Sequence, residues 1–255
     1  MYTRVFFSIS VLIIVFYLEG VFPYFKERKD RLKHAFPNLI IAIINALVIA
    51  VFFLLITAKV AEIVAENSWG LLRVIKMPYF IATVFSFILL DLWMYLWHVA
   101  NHRLRFFWLF HRMHHTDQEM NSTTALRFHA GEILFSSILQ VLVIVFLLGI
   151  DMFQLSLYGA IFLPIVIFHH SNIGLPEKWD RIIRSCFVTP NMHRVHHSEK
   201  MYETNSNYSS VFSFWDRLFK TFRKRQNTLT IHYGIKSFYQ KKWQTLFGMI
   251  LTPFK

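Results

Sequence analysis

Thirteen histidines occur in the 255 residues, and most of them stand in four tight groups. His98 and His102 are spaced i, i+4. His111, His114 and His115 follow, then the pair His169 and His170, then His193, His196 and His197. On a helix, side chains three and four residues apart share a face, so each group can aim its imidazoles at one point. The stretch His111-Arg112-Met113-His114-His115-Thr116-Asp117 is echoed by His193-Arg194-Val195-His196-His197-Ser198-Glu199, one small device used twice. Crowded imidazoles repel one another if protonated and strand buried lone pairs if neutral. A bound cation removes both costs by accepting the lone pairs of neutral rings. One tetrahedral site uses about four ligands, so this many candidates imply two metal ions, or one ion and several idle histidines. Imidazole ligation suits iron, copper, nickel or zinc alike. The plainer alternative, a pH-sensing patch or an adventitious metal surface, does not explain why the same spacing occurs twice.

Something must bring these groups together, and the hydropathy shows what. The chain is 55% hydrophobic and 18% aromatic, with 28 Phe. Apolar runs fall at 5–22, 36–58, 79–99, 133–149 and 152–168, most of them near the roughly 20 residues a helix needs to cross a bilayer. The last two are parted only by Ile150 and Asp151 and read as a tight helical hairpin. The first run lacks a small-residue cleavage site and reads as a transmembrane helix rather than a leader. Lys26, Arg28, Lys29, Arg31 and Lys33 follow it and place that loop on the cytoplasmic side. Threading the remaining runs in and out then sets every histidine cluster on that same side. The fold class expected is all-α, a polytopic membrane helix bundle of about four to five spans with a cytoplasmic helical cap carrying a His-rich dimetal site. Residues 1–255 read as one domain: two N-terminal spans over 1–76, a catalytic region over 77–223 and a basic C-terminal tail over 224–255.

Basic residues outnumber acidic ones, 27 against 15. They flank apolar segments instead of forming a basic domain, which points to lipid headgroups and away from nucleic acid. The single cysteine, Cys186, permits no intrachain disulfide and no thiolate cage, and fits a reducing compartment.

Several other residues bear on the chemistry. Asp91 lies two helical turns before His98, and a carboxylate inside a span is costly and usually functional. It either orients a ligand imidazole through the second ring nitrogen or makes a structural hydrogen bond to a neighbouring helix. Asp117 and Glu199 follow their clusters in parallel positions and are candidates for the same orienting role, with Asn172, Asn205 and Asn207 weaker ones. Arg112 and Arg194 sit one residue past a candidate ligand, so they bind headgroup phosphate or brace the fold. His129 is either a ligand or a supporting residue, and His169 competes with His170, since neighbours on a helix point about 100° apart. His34 and His232 read as ordinary surface residues. The aromatics Trp93, Trp97, Phe106, Phe107, Trp108 and Phe110 form a substrate pocket or an interfacial belt.

The same histidine spacing carries a resemblance. His98-x3-His102, His111-x2-His114-His115 and His193-x2-His196-His197 resemble the fatty acid hydroxylase and sterol desaturase superfamily. Asp91-Leu92-Trp93-Met94-Tyr95-Leu96-Trp97-His98 is similar to its lead-in, and Thr123-Thr124-Ala125-Leu126-Arg127-Phe128-His129 to the segment after its second cluster. His170-Ser171-Asn172-Ile173 matches its mid-chain histidine. Glu203-Thr204-Asn205-Ser206-Asn207-Tyr208 and Phe214-Trp215-Asp216-Arg217-Leu218-Phe219 resemble its closing signature. The likeness runs from about Met77 to Arg223. It implies a membrane di-iron oxygenase that uses O2 to hydroxylate or desaturate a lipid, with His98, His102, His111, His114, His115, His170, His193, His196 and His197 holding two iron ions. Ala130 stands where the family often has Pro, and Ser209 and Lys220 replace glycines usual in the closing signature, which bears on loop shape.

Attack on an alkyl C–H bond needs an oxidant no side chain supplies, so a redox metal is required. The chain has no haem or flavin module and no cysteine cluster, so electrons must come from a separate donor protein. The expected place is the cell membrane of a bacterium or the endoplasmic reticulum of a eukaryote. The competing reading is a His-rich zinc-binding membrane protein with a hydrolytic or metal-handling role. A transporter, though, would spread its ligands through the membrane depth.

Overall fold

Apolar stretches free of breakers become helices here, and each ends where the sequence supplies a stop. The computed structural model describes residues 2–27 and 30–255; Arg28 and Lys29 of the basic cluster lie outside the described residues. Helix α1 (Tyr2–Val21) is followed by α2 (Arg31–Val48), which passes through a π-helical turn into α3 (Leu54–Glu66), and then by the short α4 (Leu71–Val74). Arg31 and Lys33, expected in a loop, form the first turn of α2. Helix α5 (Tyr79–Arg103) starts after Pro78 and stops at the extended residue Leu104, from which α6 (Arg105–His115) sets off. A 3-10 turn, Ser122–Leu126, leads to α7 (Ala130–Leu139), which runs on as a π-helix over Gln140–Leu147. Helix α8 (Met152–His170) is opened by a reciprocal cap: Asp151 accepts from the Gln154 amide at 2.8 Å, and Gln154 Oε1 from the Asp151 amide at 3.1 Å. Short helices complete the chain: α9 (Glu177–Arg184), α10 (Pro190–His196), α11 (Met201–Thr204), α12 (Phe214–Leu218) and α13 (Leu246–Ile250). The described residues contain no β-strand beyond isolated bridges.

Among the described residues, four helical stretches are long and apolar enough to cross a membrane: Arg31–Val74, Tyr79–Arg103, Ala130–Leu147 and Met152–His170. The apolar part of α1, Val5–Val21, is shorter. Large apolar side chains such as Leu55 and Phe80 point outward, 77% and 78% exposed. A surface of this kind suits lipid, in which the helices satisfy their own backbone. The fold is an all-α membrane bundle.

At one end the helices turn tightly. Gly149, at φ +74, meets Gly70, at φ +94, so closely that a Cβ on Gly70 would stand 2.4 Å from Gly149 Cα. Only glycines permit this junction of the hairpin with α4. At the opposite end α5 finishes with His98 and His102, and α8 with His169 and His170. The histidine groups therefore gather at one end of the bundle.

Two further features brace that end. Helix α1 lies along α8, with Val15 against Val166 and Ile167. Its Glu19, fully buried, accepts from the Ser122 amide (3.0 Å), the Asn172 amide (3.0 Å) and Arg31 (3.3 Å). The C-terminal residues fold back as well: Met249 is buried against Met113 and Ile41, and the Thr252 carbonyl accepts from Arg112 at 2.6 Å.

Candidate metal centre

The imidazoles converge into two adjoining sets. His98, His102, His111, His115 and His196 form one; His114, His170, His193 and His197 form the other. Within each set, one nitrogen per ring lies within 4.8 Å of all the others. The sets share a wall, where the rings of His115 and His197 stack at 4.6 Å. Helices α6 and α10 each feed both. In α6 the i, i+4 pair His111 and His115 serves the five-histidine set, and His114 turns to the other. In the second repeat the i, i+4 pair His193 and His197 serves the four-histidine set, and His196 crosses over.

The donor chemistry fits a pair of cations. Nδ1 of His98 donates to the Tyr208 carbonyl (2.8 Å), that of His170 to Val166 (2.7 Å) and that of His196 to Ser206 (2.7 Å). His111 Nδ1 donates to Glu132 Oε1 at 2.9 Å. A neutral ring that gives its one proton outward presents a lone pair at Nε2 inward. Nε2 of His98, His111 and His196, and both nitrogens of His102 and His115, are buried with no hydrogen-bond partner. In the four-histidine set, neighbouring Nε2 atoms stand 3.1 Å (His114–His170), 3.0 Å (His170–His193) and 3.2 Å (His193–His197) apart. A tetrahedral ion with bonds of roughly 2.0 Å sets its donors about 3.3 Å apart, and these three of the six separations are close to that. Burial, then the neighbouring imidazoles, holds His114, His115, His193 and His197 well below the usual histidine range, and burial brings His196 to about 3. Neutral rings of this kind are able to donate to a metal ion.

A family model for fatty acid hydroxylase matches residues 83–221, more than half of the chain and all of these histidines. This chain belongs to the fatty acid hydroxylase family. Similar proteins include an alkylglycerol monooxygenase of Caenorhabditis elegans, 29% identical over 66% of this chain and 32% of its own length. An ornithine lipid hydroxylase, OlsE, of Rhizobium tropici is 28% identical over 63% of this chain and 47% of its own. An alkylglycerol monooxygenase of Xenopus tropicalis is 28% identical over 60% and 34%. The chain thus spans from 32% to 47% of the length of these relatives. No solved structure matches it.

The family's closing signature is the frame behind the histidines. Asp216 accepts from the amides of Tyr208 (2.8 Å) and Ser209 (3.0 Å), fixing the loop whose carbonyls hold His98 and His196. Asn207, at φ +54, ties that loop to the Met192 carbonyl at 3.0 Å. Lys220, where the resemblance implies a glycine, adopts φ +58, a left-handed conformation that glycine takes without strain.

Other residues are placed differently from expectation. Asp91 touches no imidazole. Its Oδ1 accepts from Tyr158 (3.0 Å) and the Val211 amide (3.2 Å), and its Oδ2 from the Phe212 amide (3.0 Å) and Trp215 Nε1 (2.9 Å). It joins α5 to α8 and to the closing loop, the structural alternative read from the sequence. Asp117 accepts from His34 (2.7 Å) and Thr124 (2.7 Å), and Glu199 from Tyr239 (2.7 Å), so neither orients a ligand ring. The carboxylate that does so is Glu132, which also takes the Asn101 amide at 3.3 Å. As an acid in the first turn of an apolar span, it carried the same signal as Asp91. His34 is no free surface residue, since it bridges Asp117 and Asn121 (2.8 Å). His129 caps α7, accepting from the Gly131 amide at 2.9 Å and meeting the Ile250 carbonyl at 3.1 Å. His169 belongs to neither set; its ring lies 4.1 Å from that of His193. His232 is exposed, as expected. Arg112 and Arg194 brace the fold, Arg194 through the Ser171 carbonyl at 3.2 Å. Of the aromatics, Trp108 lies 5.1 Å from the His102 ring, while Phe106, Phe107 and Phe110 pack on Phe135.

Proposed function

We propose that this chain is a membrane-bound di-iron oxygenase that hydroxylates or desaturates a membrane lipid with O2. The observation that carries the reading is the convergence of nine imidazoles into two adjoining sets, one with inward nitrogens that lack partners and the other with inward nitrogens that have only one another. His98, His102, His111, His115 and His196 would hold one ion, and His114, His170, His193 and His197 the other. Iron, when bound, supplies the oxidising power that side chains lack.

The chain's own groups do the rest. The Tyr208, Ser206 and Val166 carbonyls and Glu132 keep four rings in one tautomer and one orientation. Burial excludes water from the histidines, which protects a strongly oxidising site from side reactions. In hydroxylation, one oxygen atom of O2 enters the C–H bond and the other leaves as water, consuming two electrons and two protons. The electrons come from a separate donor protein, and the basic residues near α2 favour the cytoplasmic side for that encounter. The substrate class is a sterol, fatty acyl or ether lipid approached from the bilayer.

The test is metal analysis of purified protein with lipid profiling of cells that have or lack the gene. About two irons per chain and an O2-dependent mass gain of one oxygen, or loss of two hydrogens, are expected. The four-histidine set would equally suit zinc. Zinc in the native protein with O2-independent turnover would replace this reading by a hydrolytic one.

A further inference from the structure

Helix α9 is built inside out for a helix facing water. Asp180 and Arg184 form an ion pair on its buried side, 0% and 7% exposed, while Trp179 and Ile182 point outward at 56% and 55% among the exposed Glu177, Lys178 and Arg181. The depth of its surroundings explains the inversion. From Glu177, ion-paired with Lys224, the helix leads to Phe187, which stacks on Phe212 at 5.7 Å; Phe214 stacks on the same ring at 5.2 Å. Phe212 in turn packs on Phe87 of α5 at 5.8 Å, and its amide donates to Asp91.

Asp91 is the midpoint of α5, twelve residues from either end. A hydrocarbon layer about 30 Å thick, counted from Tyr79 at 1.5 Å per residue, reaches to about Val99. Phe212 is therefore pinned about 12 Å inside that layer. Irregular backbone is tolerated at such depth only when its polar groups are satisfied by protein. Asp91 does this for the Val211 and Phe212 amides, and Asp216 for those of Tyr208 and Ser209.

We propose that the segment from α9 to α12 dips into the bilayer beside α5, and that Trp179, Ile182, Phe187, Phe214 and Leu218 form a rim packed against lipid acyl chains. Phe187 and Phe214 of the rim pack on Phe212, which packs on Phe87 of the membrane-crossing α5, and that link to a span identifies the occupant. Lys178, Arg181, Lys200 and Arg217 are the exposed cations on this stretch, and the stems of Lys178 and Arg181 on α9 are long enough to carry their charges toward the phosphates. Phe212 stands four residues from Tyr208, whose carbonyl holds His98, so one loop links the lipid-facing wall to the histidines. The inference rests on the bundle spanning a bilayer and is independent of which metal it holds.

The test uses the full chain in phosphatidylcholine nanodiscs. Spin labels are placed on Ile182→Cys and Leu218→Cys in a Cys186→Ser background, with Lys242→Cys as the aqueous control. Collision with O2 relative to a water-soluble nickel chelate should be roughly threefold or more higher at the two rim positions than at the control. A ratio equal to the control's, or a rim closed to both reagents because protein covers it, overturns the proposal. A fall in the quenching by brominated acyl chains in Trp179→Phe, measured against the other six tryptophans, gives an independent reading of the same depth. Metal content measured on the same samples separates the two ideas. A water-exposed rim on metal-loaded protein sinks the lipid rim alone, and a lipid-exposed rim on protein that binds no metal sinks the oxygenase reading alone.

Discussion

His114 and His196 hold exchanged places: each is the fourth residue of its H-x-x-H-H repeat, and each joins the set built by the i, i+4 pair of the other repeat. The two sets are thereby interlocked through α6 and α10. Deleting these residues should act on opposite sites. His114→Ala removes one of four donors and should reduce metal content from about two ions to about one. His196→Ala removes one of five and should leave more metal behind. Metal analysis of the two purified variants, with helicity as a control for folding, checks the order.

Among the described residues, Glu132 is the one carboxylate that accepts from an outward nitrogen of the nine imidazoles, at His111. Glu132→Gln keeps the shape but offers a weaker acceptor. We expect metal affinity or activity to fall about 10–100-fold with the helix content unchanged. Competition with a chelator, followed by residual metal content, measures it.

Asp91 accepts four donors, two on each oxygen. In Asp91→Asn, an amide NH2 must face two of these donors, leaving buried N–H groups unpaired at a cost of about 2–4 kcal/mol. The expected outcome is a lower Tm in detergent. Asp91→Glu should not rescue it, because the longer stem does not fit a fully buried position.

Lys220 occupies a left-handed turn at φ +58. The conformation costs an L-residue about 1–2 kcal/mol, partly offset in Lys220→Gly by the greater freedom glycine has when unfolded. A rise in Tm by a few degrees is expected, with metal content unchanged. A fall would mean that the lysine makes a compensating contact.

The histidine spacing made the heart of the site legible, because three- and four-residue intervals on a helix convert directly into a shared face. The spans were legible for the same reason: hydropathy over membrane length has few other meanings. What escaped was long-range. Nothing local to Glu132 says that it meets His111, and nothing local to His34 says that it reaches Asp117, 83 residues away. Asp91 shows the limit best. Its burial in a span was foreseeable, but its partners are the amides of residues 211 and 212, which only the folded chain brings to it. The same holds for Glu19, which sits outside the family's matched region yet anchors the amide two residues past His170.

Main-chain carbonyls at Val166, Ser206 and Tyr208 receive three of the outward imidazole protons. Such acceptors belong to no side chain, so mutation at those codons leaves them in place provided the backbone keeps its course. Drift can therefore rewrite the residues lining this cage while its ligand geometry persists. Evolution's most direct handle for retuning a single ion is the carboxylate at position 132.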